Sequence, residues 1–234
     1  MKPCLTRSNY PAGNGTASKA LTLVYADESL LLLDKPAGLL SVPGRGEGKQ
    51  DCLCRRVQAR YPDALVVHRL DMATSGLLLM ARGPALQRAL SRLFEQRAVH
   101  KRYVAVVQGR LHGPLDAGPD DWQLIDLPIA VDWPRRPLRV IAPAHGKPSQ
   151  TRWRARGFDA AANRTRVELE PVTGRSHQLR VHLQALGHPI LGDALYADPG
   201  TAAAAGRLLL HASLLAFSHP ASGLALHFES PPPF

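Results

Sequence analysis

The sequence predicts an α+β fold with a mixed, mostly antiparallel central sheet that is flanked by helices. Short apolar runs bounded by turn residues recur along the chain, which is typical of strands joined by hairpins and loops. Only a few segments show helical periodicity. Of the 234 residues, 45% are hydrophobic, so the chain can bury a sizeable core.

The predicted strands are short and apolar. The first two surround a turn at residues 27–29, and the Pro- and Gly-rich loops that follow, at residues 34–48, exclude a helix there. The predicted strands cover residues 21–25, 30–33, 77–81, 103–107, 138–141, 151–156, 166–169, 208–210, 214–217 and 224–228.

The predicted helices are a short one at residues 52–61, a second that Pro84 opens, and a third at residues 176–186. In the third helix, Ser176 is the expected N-cap and Gly187 the expected end. The apolar positions at helical spacing are Leu86, Leu90, Leu93 and Phe94 in the second helix and Leu179, Leu183 and Leu186 in the third. The outer face of the second helix carries Arg88, Arg92 and Arg97, which are either simply solvated or contact phosphate groups.

The remaining segments set the domain organisation. Residues 1–20 are polar and predict a flexible arm rather than a secretory signal, and residues 110–125 have the composition of an irregular insertion. No apolar run approaches the about 20 residues that span a bilayer. We therefore expect one folded domain over residues 21–230, in a cytoplasmic protein that has no membrane contact.

The charge predicts a polyanionic partner. Lys and Arg total 29 against 19 Asp and Glu, which gives a formal net charge of +10. RNA or DNA is the expected partner, and an anionic membrane surface is a less favoured one. The alternative is a basic protein whose charge only keeps it soluble.

The cysteines do not predict a metal or redox site. Cys4, Cys52 and Cys54 cannot all pair, and the single residue between the last two is shorter than the usual zinc-ligand spacing. We expect reduced thiols and no bound metal.

Residues 68–76 (HRLDMATSG) place one carboxylate between an arginine and a hydroxyl-rich turn. A nearby guanidinium favours the charged form of a carboxylate, and Thr74 offers a further donor. One carboxylate is sufficient for covalent catalysis, so Asp71 is the leading catalytic candidate. The alternative is a surface pair between Arg69 and Asp71, which would contribute about 0–1 kcal/mol.

Residues 174–182 (GRSHQLRVH) gather two arginines and two histidines around a predicted helix start. Donors at a helix N-terminus favour an anion, either a phosphate or Asp71 itself. Arg180 lies between apolar residues, and a half-buried guanidinium requires a carboxylate partner, for which Asp71 is a candidate. His177 and His182 are interpreted as residues that pack or face solvent.

Lys101, Arg102 and Tyr103 place cations beside an aromatic ring at the start of a predicted strand. This combination suits phosphate contact and stacking on an extruded base. The alternative is that Tyr103 is a core residue. Trp122 is interpreted as a local packing anchor rather than a base-stacking platform.

Taken together, these segments resemble the RluA family of pseudouridine synthases. The resemblance covers residues 21–230, and motifs in the family's order are specific where any one of them would not be. It implies the pseudouridine-synthase fold with a catalytic cleft across the sheet, in a single catalytic domain with no accessory N-terminal RNA-binding domain. The matching segments are residues 34–38 (DKPAG), 68–76, 101–105 (KRYVA), and 174–182 running to 188–193 (HPILGD).

The resemblance also implies a mechanism. Uracil is detached from C1′ of its ribose, turned, and rejoined through C5 without a cofactor, after the nucleotide is flipped out of its stack. Asp71 is the implied essential aspartate, either by attack on the sugar or by proton removal to give a glycal. Tyr103 would lie against the uracil and help to remove the C5 proton, and Arg180 would pair with Asp71. The implied RNA-binding residues are Arg69, His68, Thr74, Lys101, Arg102, Arg175 and Leu179.

Within the family, residues 41–45 (SVPGR), 71–76 (DMATSG) and 132–134 (DWP) are most similar to members that modify both 23S rRNA and the anticodon loop of some tRNAs. We therefore expect rRNA and tRNA substrates, no obligatory protein partner, and a monomer. One alternative is a synthase for a single RNA class. The others are a non-catalytic RNA-binding or RNA-folding protein on the same scaffold, and a nucleoside hydrolase or DNA glycosylase that uses a lone aspartate.

Overall fold

The computed structural model describes residues 21–113 and 121–234. The predicted arm at residues 1–20, Cys4, and residues 114–120 of the predicted insertion lie outside the described residues.

The chain packs into two compact units. The described part of unit 1 comprises residues 21–98 and 217–226, and that of unit 2 comprises residues 99–113, 121–216 and 227–234. The single catalytic domain expected over residues 21–230 stays a prediction.

Unit 1 contains β1 Thr22–Ala26, β2 Leu30–Lys35, β3 Ala64–Val66 and β4 Ser75–Arg82. Their order is β1–β2–β4, with β3 also paired to β4, and all these pairs are antiparallel. Residues 30–33 and 77–81 are almost fully buried. Unbroken apolar runs of this kind are expected of strands that are covered on both faces, so β2 and β4 form the core of the unit.

The helices of unit 1 are α1 Leu53–Gln58 and α2 Pro84–Glu95, and a short 3-10 helix covers Glu47–Lys49. α1 begins at Cys52, whose Sγ accepts a hydrogen bond from the Arg55 N–H. Cys52 and Cys54 are buried free thiols, and burial raises the pKa of Cys54. α2 packs on β3 and β4 through its apolar face, as predicted. Arg88 and Arg92 on its outer face are exposed, as is Arg97, which follows the end of the helix.

Unit 2 is built on a sheet with the strand order β11–β5–β10–β9–β6, and β7 and β8 form a separate antiparallel hairpin. The pairs of β10 with β5 and β9, of β11 with β5, and of β6 with β9 are also antiparallel. The strands are β5 His100–Gln108, β6 Gln123–Asp126, β7 Ile129–Val131, β8 Arg139–Ile141, β9 Gln150–Asp159, β10 Arg164–Pro171 and β11 Leu210–Ser218. A last strand, β12, covers Ala225–Glu229, and the last two residues of β11 and the first two of β12 belong to unit 1.

The helices of unit 2 are α3 Gln178–Ala185 and the short α4 Pro199–Ala203. α3 packs against β8, β9 and β10. α3 contacts the β7–β8 hairpin through a buried apolar cluster. This cluster holds the hairpin in place against α3. The cluster consists of Ile129, Val181 and Tyr196, with Leu138 and Ile141 packed against it.

The α+β class and the mostly antiparallel strand pairing are confirmed, but three local predictions are wrong. Ser176 does not cap α3, because the N-cap is His177 in the left-handed conformation with φ 58°, although Gly187 ends the helix as predicted. The two strands predicted near the C-terminus are one strand, β11. Residues 123–125 belong to β6 rather than to an irregular insertion. No helix in the described residues is long and apolar enough to cross a membrane.

Candidate active site

Asp71 lies in the loop between β3 and β4 of unit 1 and is partly exposed. Its backbone carbonyl accepts a hydrogen bond from the Thr74 N–H at 3.1 Å, which closes a tight turn. Thr74 is buried, whereas Arg69 is exposed. Of these two predicted RNA-binding residues, Arg69 is therefore the one whose side chain is available at the surface.

A buried lysine ties this loop to the loop that follows β2. Lys35 has no exposed surface, and its Nζ donates to the carbonyls of Pro36 at 2.8 Å, Leu39 at 2.8 Å and Met72 at 3.1 Å. An ammonium group has three donors, so these carbonyls satisfy all of them. The residue after Asp71 is thereby held by a group that water does not reach.

Further hydrogen bonds hold the loop on both sides of the aspartate. The Ser41 Oγ donates to the Leu70 carbonyl at 2.7 Å and accepts from the Leu70 N–H at 3.1 Å. The Gly38 N–H donates to the Met72 carbonyl at 2.8 Å. The backbone is therefore anchored immediately before and immediately after Asp71, which limits the movement of its side chain.

His68 is part of the scaffold beneath the same loop. Its ring stacks on Phe94 with the centroids 4.6 Å apart, and its Nε2 accepts a hydrogen bond from the Leu79 N–H at 2.9 Å. These contacts connect the loop to α2 and β4. The RNA contact expected of His68 stays a prediction.

In unit 2, β5 divides the predicted Lys101, Arg102 and Tyr103 between two faces of the sheet, because successive side chains of a strand alternate. Arg102 donates to the Glu170 carboxylate at 3.0 Å on one face. Lys101 and Tyr103 lie on the other, and burial lowers the pKa of Lys101. Arg102 is therefore on the opposite face of this sheet from Lys101 and Tyr103.

The face that carries Tyr103 is the face on which α3 lies. The Thr151 hydroxyl on β9 hydrogen-bonds the His182 Nδ1 of α3 at 2.9 Å. Trp153, two residues along β9, points to the same side and lies opposite Leu169, which in turn lies opposite Tyr103. Unit 2 therefore presents Tyr103 and the helix of the predicted catalytic arginine on one side of its sheet.

Arg180 is buried and bound to a carboxylate that the sequence analysis missed. Its Nη2 donates to the Asp193 Oδ1 at 2.6 Å, and its Nε donates to Oδ2 at 2.8 Å. Two parallel bonds of this kind fix the plane of a guanidinium as well as its position. Asp71 is the partner of Arg180 that the sequence predicts, and that pairing stays a prediction.

Tyr196 packs beside Arg180 and hydrogen-bonds two other residues of unit 2. Its hydroxyl accepts from the Arg139 N–H at 2.9 Å and lies 2.7 Å from the His177 Nδ1. Burial raises the pKa of Tyr196, so the phenol keeps its proton. The Arg180 guanidinium carbon lies 5.0 Å from the centroid of the Tyr196 ring.

The start of α3 is fixed by a buried amide. The Gln178 Oε1 accepts from the Thr173 hydroxyl at 2.7 Å and from the Arg175 N–H at 3.0 Å. Its Nε2 donates to the Gln150 carbonyl and to the Thr151 hydroxyl, each at 2.9 Å. All the hydrogen-bonding capacity of this amide is used. The backbone of Arg175 is held while its side chain remains exposed.

His182 is a packing residue, as the sequence analysis interpreted it. It is completely buried, its Nε2 lies 3.0 Å from the Leu127 carbonyl, and its Nδ1 lies 2.9 Å from the Thr151 hydroxyl. Because a carbonyl can only accept, Nε2 carries the proton. Burial lowers the pKa of His182, which keeps the ring neutral.

The predicted site residues are thus divided between the units. Unit 1 holds Asp71 with Arg69, His68 and Thr74, and the other predicted residues, including the buried Leu179, lie in unit 2. Their individual roles stay predictions. No individual role was predicted from the sequence for Lys35, Asp193 or Tyr196. The first two lie in segments that resemble family motifs, which was the available signal, whereas nothing in the sequence singled out Tyr196.

The part of the chain that the structure describes holds no group of three or more His, Cys, Asp or Glu side chains arranged as metal ligands.

The chain is similar to known proteins over most of its length. Residues 29–185 match the model of the RNA pseudouridylate synthase family. The chain is 48% identical over 214 residues to the dual-specificity RNA pseudouridine synthase RluA of Escherichia coli K12, with 92% of this chain and 94% of the relative covered. The RluA of Yersinia pestis is 46% identical over 209 residues, with 89% and 98% covered.

A solved structure agrees with these matches. The human RNA pseudouridylate synthase domain containing 1 protein superposes with a TM-score of 0.75 at 28% identity, over 95% of this chain and 87% of that one. The pseudouridine-synthase fold expected from the motifs is confirmed. Because both the family model and the relatives span most of the chain, it belongs to the RNA pseudouridylate synthase family and is an RNA isomerase.

Proposed function

We propose that this chain converts specific uridines to pseudouridine in two classes of structured RNA, 23S rRNA and the anticodon stem-loop of tRNAs. The dual-specificity name of relatives that are 48% identical over 92% of the chain supports more than one kind of RNA target. The two classes proposed are those that the sequence resemblance implies. The observation that carries the chemical part is the partly exposed Asp71 on a loop anchored on both sides. A second candidate is a synthase for one of these RNA classes alone.

In this proposal, the N1–C1′ bond of the uridine breaks, the uracil turns, and a C1′–C5 bond forms. The C5 proton leaves and N1 takes up a proton, so the atoms balance without a co-substrate. Asp71 acts on the ribose, by attack on C1′ or by proton removal that gives a glycal. Both routes require a carboxylate at this position, which is what the anchored loop supplies.

The remaining residues take supporting roles. Tyr103 lies against the flipped uracil and helps to remove the C5 proton, and Arg180 supplies positive charge beside Asp71. Leu179 lines the uracil pocket, and the exposed Arg69 occupies the gap that the base leaves in the RNA. The bidentate bond to Asp193 supports the role of Arg180, because it orients the guanidinium before RNA binds.

The chemistry is tested by the Asp71→Asn variant, assayed by tritium release from RNA that carries uridine labelled at C5. We expect a rate at least about 10²-fold below that of the wild type, because the amide can neither attack nor accept the proton. Asp63→Asn is the matched control, since this carboxylate of unit 1 pairs with Arg82 at the surface. Equal rates for Asp71→Asn and the wild type would contradict the proposal.

The choice of substrate is tested by mapping carbodiimide-induced reverse-transcription stops in total RNA from a deletion strain and its parent. We expect the deletion to remove stops in both 23S rRNA and tRNA anticodon loops. Loss in one class alone would support the single-class alternative. Restoration of the stops by the Asp71→Asn gene would support the non-catalytic RNA-binding alternative.

We also propose that the protein acts as a monomer in the cytoplasm and needs no protein partner. Isomerisation of naked RNA by the purified chain, together with a sedimentation mass of one copy, is the expected result. A requirement for a cell extract would contradict this part of the proposal.

A further inference from the structure

The hairpin of β7 and β8 ends in an exposed aromatic ring. Trp133 is 67% exposed at its tip, and the residues that follow it, Pro134 to Pro137, are exposed as well. Burial of a ring of this size would stabilise the fold, and an exposed ring does not make that contribution. Tryptophan is enriched at binding interfaces, where its large ring supplies apolar contact area.

A guanidinium group already stacks on the Trp133 ring. The Arg136 guanidinium carbon lies 3.3 Å from the centroid of the Trp133 ring, which is the geometry of a stacked cation–π pair. Arg135 is also exposed, whereas the acid of the turn, Asp132, is buried and bound to Arg135 at 2.7 Å. The tip therefore presents an aromatic face and positive charge together.

The tip is held in one conformation by its own hydrogen bonds. The Asp132 carboxylate accepts from the Arg135 N–H at 3.2 Å and from its Nε at 2.7 Å. The Asp132 N–H donates to the Leu138 carbonyl at 3.1 Å, and the Leu138 N–H donates to the Arg135 carbonyl at 3.0 Å. A ligand would therefore meet a tip that needs little ordering, which lowers the entropic cost of binding.

The hairpin is also fixed to the helix that carries Arg180. The Arg139 N–H on β8 donates to the Tyr196 hydroxyl, and the Arg180 guanidinium lies beside the Tyr196 ring. Ile129 of β7 packs with Val181 of α3 in the buried cluster of unit 2. A molecule bound at the tip is therefore held at a fixed position relative to the predicted catalytic arginine.

We propose that Trp133 and Arg136 form an RNA-binding element, in which the tryptophan stacks on an unpaired base outside the modified uridine and Arg136 contacts a phosphate. This inference rests on the proposed function. RNA is the occupant that the chemistry favours, because every nucleic-acid base has a face that stacks on an aromatic ring. The positive charge of the tip could be matched by phosphate groups or by protein carboxylates. Only a nucleic acid supplies both negative charge and bases that stack on the ring.

The stacking part is tested by Trp133→Ala and Trp133→Phe, assayed by tritium release on an anticodon stem-loop and on a 23S rRNA fragment. We expect Trp133→Ala to raise KM on at least one RNA by roughly 5- to 150-fold, which is the range of one lost base–aromatic stack. The rate at saturating RNA should change little, and Trp133→Phe should recover most of the affinity. Leu224→Ala is the matched control, because Leu224 is also 67% exposed but lies in unit 1, in a segment of the sequence (residues 215–230) that contains no arginine.

The phosphate part is tested by the salt dependence of RNA binding. Arg136→Gln should weaken binding and reduce the slope of log Kd against log salt by about 0.7, which corresponds to one phosphate contact on single-stranded RNA. Trp133→Ala should leave this slope unchanged, because stacking releases no counterion. A variant that merely misfolds would change both the slope and the saturated rate.

The outcomes separate this inference from the proposed function. An inactive wild type would overturn the proposed function. An active wild type whose KM is unchanged in Trp133→Ala on both RNAs would overturn the inference alone. Unchanged kinetics on purified RNA, combined with lost modification in cells, would assign the tip to a protein partner and would also overturn it.

Discussion

The buried pair of Arg180 and Asp193 shows how a single residue decides the geometry of the site. A guanidinium inside a protein requires a carboxylate partner and fully used donors, or its desolvation is not offset. Asp193 supplies two acceptors to the arginine and also accepts from the N–H groups of Leu195 and Tyr196. The orientation of Arg180 is therefore built into the fold before any RNA binds.

Asp193→Asn should destabilise unit 2 because it removes a carboxylate from a buried guanidinium. We expect a loss of about 3 kcal/mol in the free energy of unfolding, measured by urea denaturation. Asp159→Asn is the control, since Asp159 pairs with Arg164 at the surface, and it should cost far less. A loss no larger than that of the control would contradict the assignment.

His182 predicts a pH dependence of stability. Burial lowers its pKa in the folded chain, whereas an unfolded histidine titrates near about 6.5. As the pH falls, the unfolded state takes up the proton first, so the contribution of His182 is complete above about 6.5 and is lost progressively below it. Acidification therefore lowers the free energy of unfolding through this histidine.

The measurement compares the free energy of unfolding of the wild type and His182→Gln over the range from neutral to mildly acidic pH. We expect the wild type to lose more stability than the variant on acidification, because glutamine does not titrate. The difference between the two isolates His182 from the other histidines. Parallel curves would show that this residue does not control the acid sensitivity.

Among the elements, the loop around Asp71 depends most on contacts from elsewhere in the chain. Lys35 at the end of β2 reaches the carbonyl of Met72, 37 residues away. A carboxylate on a loop would otherwise sample many positions, and misplacement of a reacting group by about 1 Å can cost 10²-fold in rate. Lys35 therefore acts as a positioning residue for the loop.

Lys35→Met keeps the length and apolar stem of the side chain but removes its three donors. We expect the rate at saturating RNA to fall by about tenfold or more, and amide exchange to become faster at residues 37–41 and 70–74. Lys49→Met, in the exposed 3-10 helix, is the control and should change neither. Unchanged exchange in these loops would contradict the positioning role.

The start of α3 shows why a boundary predicted by local rules can move. Ser176 has a good N-cap side chain, but the helix begins after His177, whose Nδ1 hydrogen-bonds the Tyr196 hydroxyl. That bond and the buried Gln178 amide outweigh a local capping preference, which contributes about 1 kcal/mol. The end of the helix stayed where it was predicted, because Gly187 adopts the left-handed conformation at little cost.

At the scale of the whole molecule, the net charge of +10 predicts RNA binding that depends strongly on salt. We expect the affinity for a substrate stem-loop to fall linearly on a log–log plot, by at least about tenfold between 50 and 200 mM salt. An unrelated structured RNA of the same length should give a similar slope with weaker binding, because phosphate contacts carry no sequence information. A flat plot would show that the charge is not used in binding RNA.

The sequence determined the α+β class, the strands β2 and β4, the apolar face of α2, and membership of the RNA pseudouridylate synthase family. These follow from apolar runs, turn residues and motif order, all of which are local along the chain. It also located Asp71, Tyr103 and Arg180 as candidates, although their roles stay predictions.

Only the tertiary structure decided that Asp193 binds Arg180, that Lys35 holds the loop of Asp71, and that Trp133 stands exposed beside Arg136. Burial, and the choice among several possible partners, depend on which distant segments pack together. Periodicity and spacing carry no information about that choice. For this reason the sequence predicted a carboxylate for Arg180 but could not show that Asp193 provides one.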